Sequence, residues 1–246
     1  MKQFGVQLYT ARTLMNDPEQ SRKTLQALKD MGYTSVQLYG SRAVFSAAAE
    51  ACREVGLPIS GILCDLDAYN RYGESVFEIC QEYKIPDLGI SCSVTPDMDV
   101  DGFIRAVNTY AAEARRRGLS FSYHNHQKEF YKTADGRTVM ERFLEGFDPE
   151  LVDFMPDTYW LQVGGEDIRH FLQKTEGRVK ILHLKDMMYT PDGPTFTEVG
   201  NGTLWFEGII REAQALGVQQ FVVEQDICPG DPLESLRRSA EYLQKI

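Results

Sequence analysis

The chain has 246 residues, 43% of them apolar, enough for one sizeable core. Its 36 acidic and 26 basic side chains leave a formal charge of −10, which opposes phosphate backbones and anionic membranes. No apolar run approaches the ~18 residues of a membrane span, and five cysteines without CxxC spacing argue against a disulfide framework or zinc knuckle.

The opening MKQFGVQLYTARTL enters a strand pattern at once, without the continuous apolar stretch of a signal peptide. A reducing cytoplasm is the expected location, with Cys52, Cys64, Cys80, Cys92 and Cys228 as small buried apolar residues. The first strand is predicted over 4–9. A helix over 18–31 opens at Asp17-Pro18-Glu19, where the Asp17 carboxylate takes orphan amides and Pro18 has none to lose. Strands at 34–39, 58–63, 87–91, 119–124, 151–156, 178–184 and 219–224 then alternate with helices at 43–55, 71–84, 100–117, 138–146, 166–175, 205–216 and 232–245. Met31-Gly32, Val55-Gly56, Arg117-Gly118 and Leu216-Gly217 each end a helix with the residue best suited to a left-handed turn. Residues 187–203 read as a long irregular loop, a lid or binding segment, in which Gly200-Asn201-Gly202 can approach an anion or a ligand oxygen.

Eight strand–helix units without a linker predict a single-domain (β/α)8 TIM barrel over 1–246. A doubly wound open sheet is the alternative, but its GxGxxG fingerprint is missing: the first strand runs into Tyr9-Thr10-Ala11-Arg12.

In a barrel, side chains at the strand C-termini converge on one face. That face collects Gln7 and Tyr9, Gln37 and Tyr39, Cys64 and Asp65, His124 and His126, Asp157, His183 and Lys185, and Glu224 and Asp226. Several are spaced i, i+2, so both members point the same way. Three of the four histidines sit there, whereas His170 falls inside a helix and reads as a surface or packing residue. Asp157, His183 and Glu224 offer two hard oxygens and a borderline nitrogen, a mix suited to Mn²⁺, Co²⁺, Zn²⁺ or Fe²⁺. Any one carboxylate alone reads as a helix N-cap; the set on successive strands points to a metal. Lys185 shares the phase of His183 and is expected to point inward. Glu129 is a solvated loop carboxylate, a general acid/base, or a ligand reaching back over the mouth. Tyr159 and Trp160 wall a sugar pocket or simply pack. Arg12, Arg42 and Lys185 are phosphate-contact candidates without a motif.

The strings SYHNHQKEF, PDTYWLQVGGEDI, ILHLKD, EVGNGTLWF and FVVEQD, in this order, resemble the sugar phosphate isomerase/epimerase superfamily with its xylose isomerase-like barrel. The likeness spans about residues 3–245 and is nearest the branch whose fifth strand ends in HNH followed by Glu, which includes relatives acting on inososes and keto-sugars. It implies one divalent metal held by four side chains, commonly Glu, Asp, His and Glu. The last three fall on Asp157, His183 and Glu224; the first falls on His124, so either His124 or Glu129 completes the set. The implied reaction moves a proton beside a carbonyl through an enediolate. Glu224 or Glu129 is the base, and His126 or Lys185 handles the second proton. Gln7, Tyr9, Gln37, Tyr39, Trp160 and Asp226 are the expected contacts to a small sugar or keto-sugar. A leaving group β to the carbanion would turn the same site into a dehydratase or keto-glycoside lyase. Barrels of this kind often pair, which leaves a homodimer open beside the monomer; no motif of the chain decides between them. Two readings from other classes compete: a metal-free sugar-binding barrel, and an abasic-site endonuclease, which the acidic charge and scarce histidines oppose.

Overall fold

Strands that are apolar on both faces must be covered on both, and the chain does this by following almost every strand with a helix. A computed structural model describes residues 3–40 and 42–246, with the backbone alone for 42–44, so the Arg42 side chain lies outside the described residues. β1 (Phe4–Gln7) leads to α1 (Pro18–Asp30), where the Asp17 carboxylate accepts from Gln20 N at 2.9 Å as the sequence predicts. The chain continues through β2 (Ser35–Tyr39), α2 (Arg42–Val55), β3 (Ile59–Cys64), α3 (Leu66–Tyr83), β4 (Asp87–Ile90), α4 (Val100–Arg116), β5 (Ser120–His124) and α5 (Val139–Gly146). It then runs through β6 (Asp153–Met155), α6 (Thr158–Val163), α7 (Ile168–Lys174), β7 (Ile181–Leu184), β8 (Asp186–Thr190), β9 (Gly193–Thr197), α8 (Phe206–Ala215), β10 (Gln220–Val223) and α9 (Pro232–Leu243).

Eight strands pair in parallel in the order β6-β5-β4-β3-β2-β1-β10-β7. The two ends meet through isolated parallel bridges, Phe154 with Val179 and Asp157 with His183, so the sheet closes into a barrel. That closure excludes the open doubly wound sheet. The second bridge matters most, because His183 N donates to Pro156 O at 2.8 Å and thereby places two predicted metal ligands side by side. Outside the sheet, Leu25, Phe45, Phe77, Phe103 and Phe143 bury the inner helix faces against it. No helix among the described residues is long and apolar enough to cross a membrane. At the end of the barrel opposite the strand C-termini, Asp87 opens β4 buried, with Ser122 Oγ donating to its Oδ1 at 2.8 Å and Oδ2 unpartnered.

Three elements differ from expectation. Helix α3 begins at Leu66 rather than 71, because the Asp65 carboxylate accepts from Ala68 N at 2.8 Å and caps it five residues earlier. A short helix, α6, starts directly after Asp157. The predicted irregular loop 187–203 contains an antiparallel hairpin instead, β8 paired with β9 from Asp186↔Thr197 to Thr190↔Gly193. Pro191 and Asp192 are its two-residue turn, closed by the Thr190↔Gly193 pair, with Gly193 at φ +113°.

Candidate metal centre

The closure between β6 and β7, together with the ends of β5 and β10, brings His124, Asp157, His183 and Glu224 to one point. One ligand atom from each lies within 4.8 Å of all the others, and all four side chains are buried. Opposite ligands around an ion with bonds of ~2.0–2.2 Å stand at most ~4.4 Å apart, so the cluster is within a few tenths of an ångström of a coordination shell. One of its atoms, His124 Nδ1, is buried without a hydrogen-bond partner, and Asp157 Oδ2 has only the Lys185 ammonium, 3.1 Å away, beside it. Unpartnered buried acceptors are costly, and a cation resolves them. The residues present therefore fit a divalent ion.

Asp157 serves two structures at once. Its Oδ1 caps α6 by accepting from Trp160 N at 3.0 Å, which leaves Oδ2 for the centre. The N-cap reading of this carboxylate holds, and its second oxygen is free to belong to the cluster as well. Asn125, the middle residue of HNH, accepts from Asp157 N at 3.0 Å and fixes its backbone. Thr158 Oγ1 bonds the carbonyls of His183 and Lys185 at 3.2 and 2.8 Å, tying α6 to β7.

Lys185 points inward and is 1% exposed, with Nζ 3.1 Å from Asp157 Oδ2, 3.3 Å from Glu224 Oε2 and 2.8 Å from Asp226 Oδ1. Burial alone would discharge it, but these three carboxylates overcome that and hold the ammonium well above its usual range. The same ammonium, with His183, outweighs burial at Glu224 and holds it well below the usual carboxylate range. Burial raises Asp157 to about 6 and also raises Asp226, against the pull of Lys185. Three carboxylates facing one ammonium leave two excess negative charges, which one divalent ion cancels. Burial, then the neighbouring rings of His183 and His126, holds His124 neutral and fit to coordinate. His126 is likewise lowered, to about 4, by burial and by Lys185.

Above the centre lies a cleft of about 690 Å³. Of the expected substrate contacts, Gln7, Tyr9, Tyr39 and Asp226 line it, with His126 and Lys185. Gln37 and Trp160 do not. Gln37 is fully buried against His183, its Oε1 2.7 Å from Nε2, and the Trp160 ring sits 5.1 Å from Lys185 Nζ. Glu129 is also fully buried, outside both the cleft lining and the ligand cluster. Its Oε1 accepts from Tyr123 Oη at 2.7 Å and His126 N at 2.8 Å, and burial raises its carboxyl to about 7. The solvated-loop reading of Glu129 is thus corrected: a 3-10 turn over Gln127–Phe130 tucks it inward. His170 is exposed on α7.

The Gly200-Asn201-Gly202 turn does embrace an anion, but the anion is the protein's own. Asp186 Oδ2 accepts from Gly200 N at 2.9 Å and Gly202 N at 3.0 Å, while Oδ1 accepts from Met187 N at 2.7 Å and Leu204 N at 3.2 Å. A Cβ at position 202 would run into that carboxylate. The hairpin is fastened rather than free: Phe196 stacks on Tyr159 at 4.3 Å and stands 5.7 Å from Lys185 Nζ, roofing the ammonium. The wall formed by Asp65, Asp67, Arg71, Tyr72 and Cys92 is absent from the sequence expectations apart from Asp65. Asp65 three residues before Ala68 was the available cap signal.

A family profile described as xylose isomerase-like TIM barrel matches residues 18–246. The inosose dehydratase of Geobacillus thermodenitrificans is 27% identical over 167 residues, 61% of this chain and 54% of that protein. The match therefore spans about half the length of this relative. Among solved structures, a sugar phosphate isomerase/epimerase from Parabacteroides distasonis superposes with a TM-score of 0.80 at 23% identity, covering 99% of this chain and 93% of that one. The 3-keto-D-glucoside 4-epimerase from E. coli superposes at 0.74 with 17% identity, covering 100% of both chains. At these identities the structural likenesses establish the fold alone.

Proposed function

The chain belongs to the xylose isomerase-like TIM barrel family, and from that premise we propose that it is a divalent-metal-dependent isomerase or epimerase of small keto-sugars. Proton transfer beside a carbonyl, through an enediolate, is the reaction. The observation that carries the reading is the buried convergence of His124, Asp157, His183 and Glu224 beside Lys185 at the floor of a cleft. Its two imidazoles and two carboxylates suit Mn²⁺, Co²⁺, Zn²⁺ or Fe²⁺. A divalent ion bound there supplies Lewis-acid stabilisation of the negative charge that develops on substrate oxygens.

The remaining roles fall to side chains of the cleft. Lys185, held charged, is a fixed electrophile and cannot serve as a base. Glu224, held strongly ionised, is a ligand of low basicity. Glu129 acts from behind, anchoring the backbone of His126. Asp226 and His126 are then the proton-transfer pair: both line the cleft, and His126 is neutral at physiological pH. Each such group contributes about 10²–10⁴-fold. A second reading, elimination, is favoured by the likeness to inosose dehydratase and by the need for only one base and one acid. A panel of keto-sugars and inososes with Mn²⁺ in deuterated solvent tests both. Deuterium at the α-carbon with the skeleton retained supports isomerisation or epimerisation, and loss of water or of an aglycone supports elimination. Neither, with metal bound, would leave a sugar-binding barrel.

A further inference from the structure

Gln7 and Gln37 are fully buried, paired side by side in the register of β1 and β2. We infer that these two amides form a polarity relay that fixes the tautomer of His183, and so decides which ring nitrogen faces the metal. The relay depends on the proposed centre only for what that nitrogen binds.

The relay begins at a group with no choice. Tyr9 N–H can only donate, and it donates to Gln7 Oε1 at 3.3 Å. The other end of the Gln7 amide is therefore its NH₂, which can also only donate, and it lies 3.0 Å from Gln37. Gln37 must answer with its oxygen. That oxygen stands 2.7 Å from His183 Nε2, so Nε2 carries the ring proton. Gln37 turns its own NH₂ to the Met155 thioether at 3.3 Å, and Gly61 leaves it room: a Cβ there would stand 3.2 Å from Nε2 of Gln37. Reversing the Gln37 amide would set NH₂ against NH₂ and carbonyl oxygen against sulfur. In the neutral ring the lone pair of His183 is thus on Nδ1, the nitrogen that faces Glu224 Oε2 at 2.9 Å. Two acceptors at that distance require a positive charge between them, a proton on Nδ1 in the metal-free ring or an ion in its place. Gln37 is accordingly a positioning residue, and a metal-ligating imidazole is held by an acceptor on its far nitrogen.

NMR of isotopically labelled ring nitrogens in the metal-free protein, with Mn²⁺ titration by calorimetry, tests the relay. Wild type is expected to carry a proton on His183 Nε2. Gln37→Leu is expected to lose that preference and to weaken Mn²⁺ binding by about 10–100-fold, while Gln37→Glu, which keeps an acceptor, restores binding to within a few-fold. Gln7→Leu, one step back, frees the Gln37 amide to reverse and yields a mixture of tautomers, so it carries the test if Gln37→Leu does not fold. A bare Nε2 with a protonated Nδ1 in wild type, or an unchanged ring signal and affinity in Gln37→Leu, overturns the relay. Failure of wild type to bind any divalent ion would instead overturn the metal centre, and the ring signal would still decide the relay.

Discussion

Lys185 is the side chain on which the electrostatics of the centre turn. Removing one partner of a buried ion pair leaves the others uncompensated, a loss of about 3–5 kcal/mol. Lys185→Met strands Asp157, Glu224 and Asp226 together, so urea unfolding without metal should show a loss of that size. Added Mn²⁺ should recover more stability in this variant than in wild type. His183→Ala and Glu224→Gln should lose metal and turnover together, and His170→Ala, on the exposed face of α7, should keep both. Elemental analysis beside an activity assay checks all three, and equal retention would remove the site. His183, Glu224, Asp157 and the inward Lys185 were legible in the sequence, because strand phase and strand ends dictate where they point. The place of Gln37 was not. Its partner is set by the register of β1 against β2 and by the space at Gly61, which no local pattern encodes. Glu129 was ambiguous for a related reason: only the turn after β5 decides whether it faces water or Tyr123.

Among the elements, the hairpin β8–β9 and the turn after it carry the clearest lesson. Asp186–Thr190 carries no period-two alternation and is followed by Pro191 and Pro194, so the segment read as irregular. Its anchor is Asp186, whose carboxylate collects four backbone amides. Hydrogen bonds to a charged group contribute about 1.5–3 kcal/mol each, so Asp186→Ala should lower stability by several kcal/mol and raise hydrogen exchange across 187–204. Unchanged exchange there would mean that Phe196 stacking alone holds the hairpin. Glycines and prolines punctuated the helices well, as at Asp17-Pro18, but α3 was begun late because the Asp65 cap was read only as a cleft residue.

For the whole barrel, pH should act through carboxyls buried at both ends. Burial raises Asp87 to about 7 and Glu129 to about 7. The folded state therefore keeps protons that the unfolded chain releases, and stability falls as pH rises from about 4 to about 7, by up to about 1.4 kcal/mol per unit for each group. Above that window it levels. Asp87→Asn, far from the cleft, should show a smaller loss of melting temperature between about pH 5 and about pH 8 than wild type; an equal loss would place the proton elsewhere. Metal acts in the other direction, since an ion at about 100 times its Kd should add about 2.7 kcal/mol. The alternation of strands and helices made the closed barrel readable, while the point of closure, at Asp157 and His183, emerged only from the bridge between β6 and β7. Anomalous diffraction from crystals grown with Zn²⁺ tests that meeting point most directly. One peak within about 2.0–2.2 Å of His124, Asp157, His183 and Glu224 is the expected result; no peak there, or one held by Glu129 in place of this set, would contradict it.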